Sequence, residues 1–281
     1  QGSAVNDESI SSSSMNDDSN VDLLQVDESS PNVGDDGSIL CSASLDKESS
    51  DDSLNRSVYI VNQRNFKMYF NDNTLKPEYG DGIIVFDGNF NNMSTIKFYT
   101  ENTWITSRHA LFNNTVFDLG ASGIVLSNIN MVLNQEFKDN NQAGIYIHAT
   151  DVSIYNCTLD YDTPEDVTAF GIYGDGHINE FTGLKIINTT INFRGHALME
   201  DIYNYPILLR NVHDCLIYDN NITCELPLKY IRFNFKGSYG SVSTDSVAAF
   251  ASDYCENLTL SNNYIESTVN LRDMQYPTLD C

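Results

Sequence analysis

The sequence predicts an all-β chain wound as a right-handed parallel β-helix, with a short N-terminal capping helix and a disordered acidic leader. Three observations lead there. An apolar pattern recurs with one Asn or Asp at the same place in every copy, helical periodicity is almost absent, and the composition changes sharply near residue 56.

The leader, residues 1–56, is dominated by Ser, Asp and Asn and holds no aromatic residue. It carries nearly half of the chain's formal net charge of −24. Chain of this kind cannot bury enough apolar surface to offset its ordering entropy, so it is expected to be disordered. Residues 57–281 form the folded domain. Val58-Tyr59-Ile60-Val61 reads as a strand, and Phe66, Tyr69 and Phe70 follow at helical spacing behind Asn62 or Asn65, either of which can cap a helix.

The repeat decides the fold. Five segments place two apolar residues one apart, then Asn or Asp, then a third apolar residue: Ile124/Leu126/Asn128/Met131, Val152/Ile154/Asn156/Leu159, Leu184/Ile186/Asn188/Ile191, Cys215/Ile217/Asp219/Ile222 and Leu258/Leu260/Asn262/Ile265. They begin 28, 32, 31 and 43 residues apart, and the last interval points to an insertion near residues 225–247. Two apolar residues one apart share a strand face. Asn or Asp then tolerates the left-handed backbone of a sharp corner. Successive coils stack about 4.8 Å apart, putting Asn128, Asn156, Asn188, Asp219 and Asn262 in one structural ladder. Each buried Ile, Leu or Val contributes roughly 1.5–3 kcal/mol, so the apolar columns supply stability and the ladder fixes register. An antiparallel sandwich is the competing architecture, but it does not need a corner Asn at one register in every unit.

These residues resemble the adhesin-like surface proteins of methanogenic archaea. The resemblance runs from the leader segment Leu23-Leu24-Gln25-Val26-Asp27-Glu28-Ser29, through the opening segment at residues 61–70 and the strand at residues 80–90, to the coil motif at residues 152–159. It implies a pectin-lyase-like β-helix exported to the cell surface, capped by its own helix. An anaerobic habitat, also implied, weakens the expectation of disulfides. Gln1 and Cys281 read as the ends of a trimmed product whose C-terminal side is cut short.

Charge narrows the function. A surface this acidic repels phosphate backbones and anionic headgroups, so nucleic-acid binding is not expected. Nor is direct membrane insertion, because no run of about 18 apolar residues exists. Exported, the chain offers seven Asn-x-Ser/Thr triplets; Asn55, Asn92 and Asn113 are candidate glycan acceptors, whereas Asn156 and Asn188 are expected to face inward on the ladder. The cysteines form no CxxC pair, and Cys215 aligns with core positions. His109, His148, His177, His196 and His213 lack metal-ligand spacing and read as structural or exposed. Asp160, Asp162 and Asp166 are the one weak metal candidate, for calcium; otherwise no cofactor is implied. Tyr230, Arg232 and Lys236 mark the insertion as a candidate binding element.

The expectation is therefore a non-enzymatic, secreted surface protein that attaches to a glycan or to a surface protein of another cell. A polysaccharide lyase or glycoside hydrolase is the alternative, with Asp175, His177, Arg194, His196 and Arg210 as residues that could converge on one face. A structural wall or sheath component is the second alternative.

Overall fold

A computed structural model of the chain describes residues 56–197, 202–227 and 250–270. The leader up to residue 55 and residues 228–249, which hold Tyr230, Arg232 and Lys236 and nearly all of the insertion, lie outside the described residues.

The described chain is all-β. It opens with β1 (Val58–Val61), one helical turn α1 (Phe66–Tyr69) and the antiparallel pair β2 (Phe70–Asn71) and β3 (Thr74–Leu75). Then come β4 (Ile83–Phe86) with β5 (Asn89–Phe98), and β6 (Trp104–Ser107) with β7 (Leu111–Leu119). Three-strand units follow: β8 (Val125–Ser127), β9 (Asn130–Leu133) and β10 (Ala143–Ile147), then β11 (Ser153–Tyr155), β12 (Thr158–Asp162) and β13 (Ala169–Asp175). The two-residue β14 (Phe181–Thr182) precedes β15 (Lys185–Ile187), β16 (Thr190–Arg194) and β17 (Asn204–Arg210). The last units are β18 (Val212–Tyr218), β19 (Asn221–Pro227) and β20 (Phe250–Asp253), then β21 (Glu256–Ser261) and β22 (Tyr264–Asn270).

Among the described residues every strand pairing apart from β2–β3 is parallel, and nearly all join a strand to its equivalent in the next unit. One sheet runs β1-β4-β6-β8-β11-β15-β18, with β14 and β21 both pairing to β18. The other has two limbs that meet at β7, whose first half pairs with β9 and whose second half pairs with β10. One limb continues through β12, β16, β19 and β22, the other through β13, β17 and β20. The bend between the limbs uses positive φ at Asn92, Ser94 and Asn114.

Register turns the apolar periodicity into continuous interior columns. Ile84, Ile105, Leu126, Ile154, Ile186 and Ile217 stack in the first sheet, and Phe90, Phe112, Met131, Leu159, Ile191 and Ile222 in the first limb; all are buried. Among the described residues the last members of these columns are Leu260 and Ile265, 43% and 45% exposed. At the other end, Phe66 stacks on Phe70 at 4.3 Å, and the rings of Phe86, Phe90, Phe98, Phe112 and Phe117 close the core. The capping helix is only one turn long, because Phe70 is already extended and begins β2. Asn62 and Asn65 close the turn ahead of it reciprocally: the Asn62 side chain accepts the Asn65 N–H, and the Asn65 side chain accepts the Asn62 N–H. Among the described residues no helix is long and apolar enough to cross a membrane.

The five corner residues have nearly one backbone conformation, with φ of 53° at Asn128, 51° at Asn156, 49° at Asn188, 57° at Asp219 and 54° at Asn262. Each follows the end of a paired strand, and the first four donate their N–H one unit onward, as Asn156 does to Ile187 O at 3.2 Å and Asn188 to Tyr218 O at 3.1 Å. The inward orientation expected for Asn188 needs correction. Its side chain is exposed, and its amide donates to Asn156 Oδ1 at 2.6 Å on the outside. The inward polar column lies one residue later, at buried Cys157, Thr189 and Asn220 and half-buried Asn263. Thr189 N–H donates to Asn220 Oδ1 at 2.8 Å, and Asn220 Nδ2 donates to Ile186 O at 2.9 Å and Asn263 Oδ1 at 2.9 Å. The left-handed corner turns residue 188 outward and residue 189 into the core.

Candidate binding face

The second limb presents outward side chains that sequence spacing does not bring together. Register lays Tyr146 beside Tyr173 and Leu208, and Phe170 beside Tyr205. Gly144 and Gly171 stand ahead of the two Ile-Tyr pairs because a side chain would have no room; a Cβ on Gly171 would fall 2.5 Å from Pro206 O. The outcome is a second apolar cluster, Ala143, Phe170, Tyr173 and Tyr205, separate from the main core.

Around it runs a strip of seven rings. Tyr203 stacks on Tyr205 at 6.3 Å and Tyr205 on Phe170 at 6.2 Å, and Phe170 lies 5.0 Å from Tyr173. Tyr173 is 5.6 Å from Tyr146, Tyr146 is 5.0 Å from His148, and His148 is 6.0 Å from Tyr99. Polar groups punctuate the strip. Tyr146 OH donates to Asp175 Oδ2 at 3.3 Å, and Arg210 donates to Tyr173 OH at 3.5 Å. Buried Asp118 joins the last two rings at one end, accepting from Tyr99 OH on Oδ2 at 2.5 Å and pairing with His148 Nε2 through Oδ1 at 2.8 Å. Burial and then the bonded carboxylate raise the pKa of the Tyr99 and Tyr146 hydroxyls above that of a free phenol, so both remain neutral donors.

Where the strip meets the first sheet it opens into a cleft of about 340 Å³ lined by Tyr99, Glu101, Gly120, His148, Asn179 and Glu180 among others. Gly120 makes this convergence feasible. A Cβ there would lie 2.5 Å from the His148 ring and 2.7 Å from the Tyr99 ring. Rings beside hydrogen-bonding carboxylates can stack on a sugar's C–H face and hold its hydroxyls.

The residues proposed from sequence are distributed differently. Asp175, His177 and Arg210 sit at one end of the second limb, where Asp175 also accepts the His177 N–H at 3.1 Å. Arg194 and His196 lie beyond its other end and pair with Asp162, at 3.6 and 2.7 Å. A seven-residue strand such as β17 spans roughly 20 Å, so these five do not converge. Asp160 accepts from Asn192 at 2.5 Å, and Asp162 is held by that His196 contact. Among the described residues no group of three His, Cys, Asp or Glu is placed to hold a metal ion.

Asn92 is exposed and Asn113 half-buried, while Asn55 lies outside the described residues. Thr115, the hydroxyl residue of the Asn113 triplet, is buried and donates to Phe90 O at 3.1 Å. Cys215 is buried, and burial pushes its thiol up to about 12. Sequence reasoning missed Tyr99, Asp118, Tyr146, Tyr173 and Tyr205 and took His148 for a structural or exposed residue. The signal available was the Gly-Ile-Tyr triplet recurring at residues 144–146 and 171–173. Compared with known family models, curated proteins and solved structures, the chain matches none.

Proposed function

We propose that this chain is a right-handed parallel β-helix of pectin-lyase-like architecture, exported to the cell surface, where it acts as a non-enzymatic, adhesin-like glycan-binding protein. The winding is supported by parallel pairing of each strand with its equivalent one unit later, and strand–crossover–parallel-strand connections are right-handed in nearly every case. The glycan reading rests on one observation above the others, the seven-ring strip with Asp118, Asp175 and Arg210 along it. Sugar rings stack on aromatic faces, and a flat parallel sheet presents those faces in a row. The strip adds a second binding element to the insertion at residues 225–247.

The test is a glycan array followed by calorimetry on the full chain. One glycan class is expected to bind, and Tyr146→Ala is expected to weaken it by about tenfold, with stability falling by only about 1–2 kcal/mol because the ring is half-buried. Failure to bind any glycan overturns the reading.

The lyase or hydrolase alternative gains from one feature, the Asp118–His148 pair, since a carboxylate orients an imidazole for proton transfer. Release of new reducing ends or of unsaturated products from a bound glycan would favour it.

A further inference from the structure

The cleft at the end of the strip carries a more specific message than the strip itself. Its lining holds two carboxylates, Glu101 and Glu180, and no Lys or Arg. Asp118 stands behind it, and both of its oxygens are engaged by the rings that form the wall. Lys97, the strand neighbour of Asp118, does not line the cleft. Glu180 Oε2 lies 3.9 Å from His213 Nε2, and its side chain remains 67% exposed. Tyr99 is 48% exposed, and because its hydroxyl donates to Asp118, its oxygen lone pair is left to accept from a ligand.

Such a place favours positive charge. Ring faces attract a cation, and nearby carboxylates add a Coulomb term that a negative ligand would meet as repulsion. Aromatic stacking along the strip still calls for a saccharide. We propose that the cleft recognises the ammonium group of an amino sugar, held between the Tyr99 and His148 rings and the carboxylates of Glu101 and Glu180. This rests on the glycan-binding reading and narrows it, turning away from uronates and sulfated chains toward deacetylated amino sugars.

The ammonium also explains Gly120. Without a side chain there, both rings approach the same floor, edge to face with centroids 6.0 Å apart, and the Tyr99 ring supplies the π face for the cation. A shallow, solvent-open cleft makes the gain modest and sensitive to salt.

The experiment titrates the full chain, at physiological salt and neutral pH, with glucosamine disaccharide, its N-acetylated counterpart and digalacturonate. The glucosamine disaccharide is expected to bind one to one and about tenfold tighter than the acetylated sugar, while the uronate does not bind. Tyr99→Ala, and separately the paired change Glu101→Gln with Glu180→Gln, are each expected to weaken it about fivefold or more. Equal or tighter binding of the acetylated sugar, still weakened by Tyr146→Ala, overturns the ammonium assignment and leaves the glycan reading standing. Glucosamine binding that neither Tyr99→Ala nor the paired change weakens is diffuse attraction to a chain of net charge −24, and also overturns the assignment. Failure of all three sugars to bind, together with a blank glycan array, overturns both.

Discussion

The two limbs of the larger sheet share one interior and have opposite exteriors. On the first limb, Asn130, Thr158, Thr190 and Asn221 form one outward column and Val132, Asp160, Asn192 and Thr223 the next. Their polar groups satisfy one another and water, as Asp160 does with Asn192 and Glu225 with Arg194. The second limb is built from the same units in the same register, yet gathers aromatic rings outside. Inward positions are constrained by packing along the whole stack, whereas outward positions on any one limb are free to vary. Function is therefore to be sought where the outward pattern departs from polar residues.

The largest effect is expected where the second limb has no spare volume. Gly171→Val would drive a side chain into the Pro206 carbonyl and into Leu159, and backbone cannot yield as a flexible side chain can. Chemical denaturation is expected to show a loss of more than about 3 kcal/mol. A loss under 1 kcal/mol would mean that β13 and β17 can separate, and the register that assembles the rings would be in doubt.

Next comes the buried polar column. Asn220→Val would remove the acceptor of Thr189 N–H and the donor to Ile186 O, leaving both groups inside the core. The expected cost is about 2–4 kcal/mol, summed over two orphaned groups. Asn188 lies one unit away on the exposed side of the same corner, so the contrast between the two positions measures what burial contributes.

Much of the parallel, all-β arrangement was legible in the residues. Leu126, Ile154, Ile186 and Ile217 each follow another apolar residue by two, and that spacing alone predicts a shared face. Asn and Asp are the residue types that accept positive φ, which all five corners have. What could not be read was which corner residue turns inward, because Asp219-Asn220-Asn221 offers three similar side chains in a row and only the fold singles out Asn220. The ring strip was hidden for a different reason. Phe170 and Tyr205 are 35 residues apart, and their stacking depends on the lengths of the segments between strands rather than on any local pattern. Gly120 is likewise informative only once Tyr99 and His148 are known to flank it.

A gentler perturbation is alkaline pH. Burial raises the thiol of Cys157 from an ordinary 9.0 to about 12, so the folded state keeps a proton that the unfolded chain gives up. Its stabilising contribution is complete below pH 9 and is lost as pH rises from 9 towards 12, at no more than about 1.4 kcal/mol per pH unit. Cys157→Ser is expected to flatten that limb of the stability curve, since a serine hydroxyl does not titrate there. Thr189, at the equivalent place, shows that a hydroxyl fits by donating to Ile187 O at 3.2 Å. An unchanged alkaline slope would mean that Cys157 is not sealed in the core.

The smallest expected effect separates two purposes of the corner asparagines. Asn188 contributes a left-handed backbone with φ of 49° and an amide that donates to Asn156 on the surface. Its N–H bond to Tyr218 O survives any side chain. If conformation is what the position requires, Asn188→Gly should change stability by no more than about 0.5 kcal/mol, since glycine adopts positive φ without strain. Asn188→Ala should then cost about 1–2 kcal/mol, because a Cβ is disfavoured in that region. If the outer amide ladder is what holds register, the two variants should lose the same amount, for both remove the same hydrogen bond. The exposed setting of Asn188 argues for the first outcome, because a solvent-facing amide exchanges its partner for water at little net cost.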